Sequence, residues 1–178
     1  MSLDRLRTML SAPAGGGDSV DWEAAEAALG RRLPSDYREF IAVYGAGSIS
    51  DHLGVAIPVS TSGPGEPPID VVEETGEARF TFARVRSGLP ADVTDESALL
   101  GWGHSDSADT LCWITTDPDP DNWPVAVWSD FEQQWLVFKV GMVDFLIGLL
   151  AGEFDECPLS DLSLWGRPSQ RYLSWREA

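Results

Sequence analysis

The feature that most constrains this chain is a change of hydrophobic period at Leu99. Upstream, apolar residues recur at helical spacing; from Leu99 onward they alternate with their neighbours. Residues 99–104, 110–116, 124–129 and 134–138 read as strands. Turn-forming residues fill 105–109 and 117–122, and 131–133 is short enough for a hairpin connection. Strands this close in sequence pair most simply as an antiparallel meander. Residues 141–152 are apolar almost all round, the pattern of a helix buried against a sheet. In residues 110–116, Leu111 and Trp113 fall on one face and Cys112 and Ile114 on the other. Both faces are apolar there, so this strand is expected to be central and covered.

Before that change, Leu3, Leu6 and Leu10 share one face of a short opening helix. Residues 21–29 form a second helix that Gly30 stops in the left-handed conformation. Pro34 starts a third, with Tyr37, Phe40, Ile41 and Tyr44 as its apolar face. Residues 12–17 are a short joint, 60–68 a surface loop, and 49–59 a strand with an irregular start. Asp70 and Glu73 have the spacing of a helix cap and its return partner, and helical spacing follows through Val71, Thr75, Ala78, Phe82 and Val85. Residues 79–85 also partly alternate, so helix and strand both stay open there, with helix favoured.

Helices segregated from strands indicate α+β and not the alternation of a parallel sheet. The expected fold is a mainly antiparallel sheet of about five or six strands with helices packed on one face. With 178 residues the chain suits a single domain, 1–178, with a core at 18–152 and a C-terminal extension, 153–178, docked on the body. The extension interleaves Trp165, Arg167, Arg171, Tyr172, Trp175 and Arg176.

The formal net charge is −17, unevenly spread: −2 over residues 1–50, −6 over 51–100 and −9 over 101–178. Such a chain repels phosphate backbones and anionic lipid surfaces, which argues against nucleic-acid and membrane partners and favours a basic protein. Residues 1–10 carry Asp4, Arg5 and Arg7 and no unbroken apolar run, unlike a secretory signal. Cys112 and Cys157 are the only cysteines, outside any CxxC, and are expected to be reduced in the cytoplasm.

Catalytic motifs are absent: no GxSxG, no HExxH, no SxxK and no Gly-Lys pair. Gly45-Ala46-Gly47 follows a helix where a dinucleotide site would open one. Asp117, Asp119 and Asp121 are spaced like the start of a calcium loop, but the sixth position is Asn122 and the twelfth Trp128. A solvated acidic turn is the better reading. His104, near Asp106 and Asp109, is the one arrangement that suggests acid–base chemistry, and it defines a minor alternative, a small enzyme. No catalytic, cofactor or metal residues are assigned.

Trp22, Glu26, Leu29-Gly30, Leu33-Pro34, Asp36-Tyr37, Arg38-Glu39-Phe40 and Tyr44-Gly45-Ala46-Gly47 together resemble the opening of the SUKH superfamily. That superfamily joins bacterial toxin-immunity proteins with fungal regulators of cell-wall synthesis. The second half is similar too, in residues 99–104, Ser107-Ala108-Asp109, residues 111–114, Pro124-Val125 and Phe145-Leu146. One departure is that the family's Gly-Asp turn is Ala108-Asp109 here. The resemblance implies an interaction domain without a catalytic set, and for bacterial members the neutralisation of a cognate toxin, often a nuclease. The alternative within the same fold is a regulatory or scaffold protein not linked to toxins. On the toxin reading the partner is basic, and the expected contact residues are Asp106, Asp109, Asp117, Asp119, Asp121, Asp130 and Glu132, with Trp102 or Trp123 as anchors.

Overall fold

The structure, a computed structural model, describes residues 2–58 and 69–176. The expected loop at 60–68 lies outside them. In chain order the elements are α1 (Ser2–Met9), β1 (Leu10–Ser11), α2 (Trp22–Leu29), α3 (Ser35–Tyr44), β2 (Gly47–Ile49) and β3 (Leu53–Val55). There follow α4 (Val71–Arg84), β4 (Leu99–Ser105), β5 (Thr110–Ile114), β6 (Val125–Ser129), β7 (Gln134–Phe138), α5 (Met142–Ala151) and β8 (Gln170–Ser174).

Local chemistry sets the helix ends. The Asp21 carboxylate accepts from Ala24 N and starts α2; Gly30, at φ 69°, ends it. Asp70 accepts from Val72 N and starts α4, which runs through to Arg84 before Val85 turns extended, so residues 79–84 are helical. Two helices whose own cap residues lack a capping side chain are capped from a distance. Pro34 precedes α3, and Asp121 Oδ1 accepts from Ser35 N at 2.6 Å. Gly141 precedes α5, and Asp36 Oδ2 accepts from Val143 N at 3.0 Å. Burial beside α5 pushes the Asp36 carboxyl above its ordinary pKa.

The α+β class holds, but the sheet is larger than expected: among the described residues it has eight strands, ordered β1-β8-β2-β3-β4-β5-β6-β7. All pairs are antiparallel except β1 with β8. The meander β4 to β7 is the one that alternation predicts. The additional strands are short or remote in pairing. Residues 49–59 do not form one strand: Ser50 and Asp51, at φ 48° and 64°, fold 47–55 into a hairpin. The segment expected as an extension supplies β8, inserted between β1 and β2. The Tyr172 hydroxyl donates to Gly45 O at 2.8 Å, and Arg176 pairs with the buried Asp18 at 2.5 Å.

Helices cover both faces, not one. Leu100, Trp102, Leu111, Trp113, Val125 and Val127 share a core with residues of α1, α3 and α5. Leu99, Cys112, Ile114, Ala126, Trp128 and Trp135 pack with Ala78 and Phe82 of α4. Both faces of β5 are apolar, and each requires a cover. Gly101 lets α4 approach: a Cβ there would lie 2.2 Å from the Glu74 carbonyl carbon.

The residues that carried the resemblance mostly hold this body together. Glu26 Oε1 accepts from Leu33 N at 2.9 Å and so closes the turn between α2 and α3. The Tyr37 hydroxyl donates to Ala56 O at 2.7 Å and the Tyr44 hydroxyl to Leu10 O at 2.9 Å. Burial pushes the Tyr44 hydroxyl up to about 12.

Candidate functional site: an acidic loop face built on Asp109

A meander sends alternate turns to opposite ends of its sheet. The β4–β5 and β6–β7 turns therefore share one end, and the β5–β6 connection lies at the other. The β2–β3 turn joins the first end, because Leu53 pairs with Ser105.

One side chain ties that end together. Asp109 is 0% exposed. Its Oδ2 accepts from the Ser105 hydroxyl at 2.7 Å and from Ser160 N at 2.8 Å. Its Oδ1 accepts from Asp130 N at 3.0 Å and from the Ser160 hydroxyl. The same Ser160 oxygen accepts from Phe131 N at 2.9 Å. Buried carboxylates are tolerated when donors surround them, and here the donors come from three separate loops. Ala108 enters the hub at φ 64°, the left-handed conformation that a glycine would adopt without strain.

The surface above this hub is acidic, with apolar points. Asp106, Asp130, Glu132, Asp155 and Glu156 are exposed, and Asp161 is half-buried. Phe131 is 78% exposed and Leu162 is 62% exposed, two of the large apolar side chains that solvent reaches. Segments 102–138 and 153–166 contain no lysine or arginine. Arg171 stands at the same end, but on the β8 side beyond β2. His52 Nδ1 lies 2.8 Å from Asp106 Oδ2, and the Asp106 N–H donates to His52 O at 2.9 Å. Asp161 completes a group whose ligand atoms all fall within 4.8 Å. The hydrogen bond from Ser163 holds the Asp161 carboxyl below its ordinary pKa.

The expected contact residues divide. Asp106, Asp130 and Glu132 converge on this face. Asp109 lies beneath it, fully buried, and is its organiser, not a contact. Trp102 and Trp123 are buried at 0% and 5% exposure and are not anchors. Trp102 packs against Trp113 and Phe145, with centroids 6.0 and 6.1 Å away. Trp123 donates its Nε1–H to Asp117 O at 2.7 Å and thereby turns inward. Asp117, Asp119 and Asp121 stand at the opposite end, beside α3.

The His104 arrangement also differs from expectation. Its partner is Glu74 Oε1 at 2.8 Å, and neither Asp106 nor Asp109. The cause is a bulge: the β4–β5 register shifts between Gly101 and Gly103, which reverses the alternation and turns His104 toward α4. The hydrogen bond to Glu74 raises the His104 pKa. The two histidines thus belong to separate local pairs.

Sequence reasoning missed Phe131, Asp155, Glu156, Asp161, Leu162 and the two organising serines. Ser160 is 51 residues from Asp109, and nothing in a local pattern signals that pairing. The one available sign was composition, a 14-residue stretch at 153–166 with four acids and no base.

Among the described residues, no helix is long and apolar enough to cross a membrane. Residues 16–148 match the sequence profile of the SMI1/KNR4 family (SUKH-1). Neither the curated proteins nor the solved structures give a match.

Proposed function

Because this chain belongs to the SMI1/KNR4 family (SUKH-1), we propose that it is a non-enzymatic protein-binding domain, an immunity protein that neutralises a cognate bacterial toxin by direct binding. The observation that carries this reading is the loop face. Carboxylates, most of them exposed, flank two large exposed apolar side chains, Phe131 and Leu162, over a buried hydrogen-bonded support. Apolar anchors within a charged rim are how protein interfaces divide their labour: the anchors hold, and the charge steers. The partner is a basic protein, and occlusion of its functional surface is the mode of inhibition. Where that partner is a nuclease, the carboxylates occupy the place of the nucleic-acid phosphates.

The test is growth protection. The chain is co-expressed with the polypeptide encoded immediately upstream of it, and the purified pair is studied by calorimetry. Protection and binding are expected for the unaltered chain. Phe131→Ser with Leu162→Ser should weaken binding by about a hundredfold while leaving the melting temperature in place. Absence of protection and of binding would overturn the reading.

A further inference from the structure

The loop face continues along the edge of the sheet. Among the described residues, β7 is the terminal strand and pairs only with β6. Its outward groups are partly covered: the Trp135 N–H donates to Ser87 O at 2.9 Å. A Cβ on Gly88 would lie 1.9 Å from Trp135 O, so the 87–88 segment closes that stretch of the edge. Two residues on, no such hydrogen bond is made among the described residues. Antiparallel pairing alternates, so the Val137 N–H and C=O also point away from β6. They have no hydrogen-bond partner among the described residues.

Beside this open stretch runs a cavity of about 730 Å³ between β7 and the loop after α5. Its floor includes Leu136, Val137, Phe138 and Phe154, all half-buried. Its rim carries Glu132, Asp155 and Glu156, all exposed. Lys139, the one lysine of the chain, follows β7 directly. An apolar trough, an unsatisfied strand edge and an acidic rim together specify an extended basic segment. A second copy of this chain would bring the same carboxylates, and another −17, against them.

We propose that this groove binds an extended, arginine- or lysine-bearing segment of the protein partner, added as a strand beside Val137, with apolar side chains against Leu136 and Phe154. The proposal rests on the protein-binding reading above and places the partner's main chain within it.

The probe is a capped hexapeptide alternating arginine and leucine, titrated into the full chain by calorimetry and followed at the Val137 amide by NMR. The peptide is expected to bind and to shift that amide. Methylating its backbone nitrogens should weaken it by about tenfold, the weight of one or two backbone hydrogen bonds. Glutamate in place of arginine should abolish binding. Equal affinity for the methylated peptide, an unmoved Val137 amide, or no binding by the arginine peptide would overturn the groove. Growth protection decides the functional reading separately. Protection that survives Asp155→Lys with Glu156→Lys but is lost with Phe131→Ser and Leu162→Ser would keep the loop face and remove the groove.

Discussion

The two ends of the meander are both acidic, yet they use their carboxylates differently. At the β5–β6 connection each aspartate is engaged by the backbone. Asp117 accepts from Asp119 N, Asp119 from Asp121 N, and Asp121 from Ser35 N. Arg32 and Arg38 line the cavity alongside. At the other end a single buried residue, Asp109, ties three segments together; around it Asp106 pairs with His52 and Asp161 accepts from Ser163 N, while Glu132, Asp155 and Glu156 are exposed. Counting charges does not distinguish these ends; the distribution of donors does, since four converge on Asp109 at one end while at the other they are shared among three aspartates. An Asp two residues before a free N–H folds back on itself, and the Asp-Pro repeat arranges this twice in succession. Surfaces suited to recognition arise where the structural work is concentrated in one side chain.

The sharpest way to break this comparison is to remove that side chain. Asp109→Ala leaves the Ser105 and Ser160 hydroxyls and the Asp130 and Ser160 amides without their acceptor. The expected loss is about 3–5 kcal/mol, a large share of the stability of a domain this size. Urea unfolding measures it. Hydrogen exchange adds the spatial test: the Asp130 and Ser160 amides should lose protection while the Ser35 amide keeps its own. A loss below about 1 kcal/mol would mean that the loops are held by something other than Asp109.

The opposite end predicts a smaller effect. Asp121→Ala removes the distant cap of α3, where Pro34 offers no side-chain oxygen of its own. The cost should be about 1 kcal/mol, the ordinary value of a helix cap. Asp117→Ala and Asp119→Ala, which lose only local turn contacts, should cost less. If all three aspartates proved equal and neutral, the engaged-carboxylate reading of this end would fail. Partner binding should be insensitive to all three, because they lie at the far end of the sheet from Phe131 and Leu162.

What the sequence revealed follows the range of the interactions. The meander, the buried closing helix, the left-handed stop at Gly30 and the Asp70 cap each depend on neighbours within a few residues, and each was legible. The covering of β5 on both faces was legible from Cys112 and Ile114, but the identity of the second cover, α4, was not. β1, β2 and β3 are two or three residues long, too short to carry a period. β8 pairs with Gly47–Ile49 across more than a hundred residues. Three of the expected contact residues lie together for the same reason. Asp106, Asp130 and Glu132 sit on adjacent hairpin turns, which the meander already brought together. Trp102 and Trp123 misled, because tryptophan serves cores and interfaces alike and only burial separates the two. His104 misled because one extra residue in β4 reversed its face.

Ala108 supplies the finest test of how the loop face is held. Its φ of 64° places an L-residue where the chain pays about 1 kcal/mol or more in strain. Glycine would remove that strain but would give the unfolded chain more freedom, an opposing term of about 0.5–1 kcal/mol. The side chain is exposed, so its methyl group contributes little packing. Ala108→Gly should therefore stabilise the protein slightly, by about 0.5 kcal/mol, read as a rise of about 1–2 °C in the melting temperature. The gain comes from backbone strain and not from the carboxylate hub, so it should persist in the Asp109→Ala background if that variant still folds. An unchanged or lower melting temperature would show that the turn is not strained at Ala108. Loss of the gain only when Asp109 is absent would show that the hub imposes the left-handed turn, linking the departure at residue 108 to the support beneath the face.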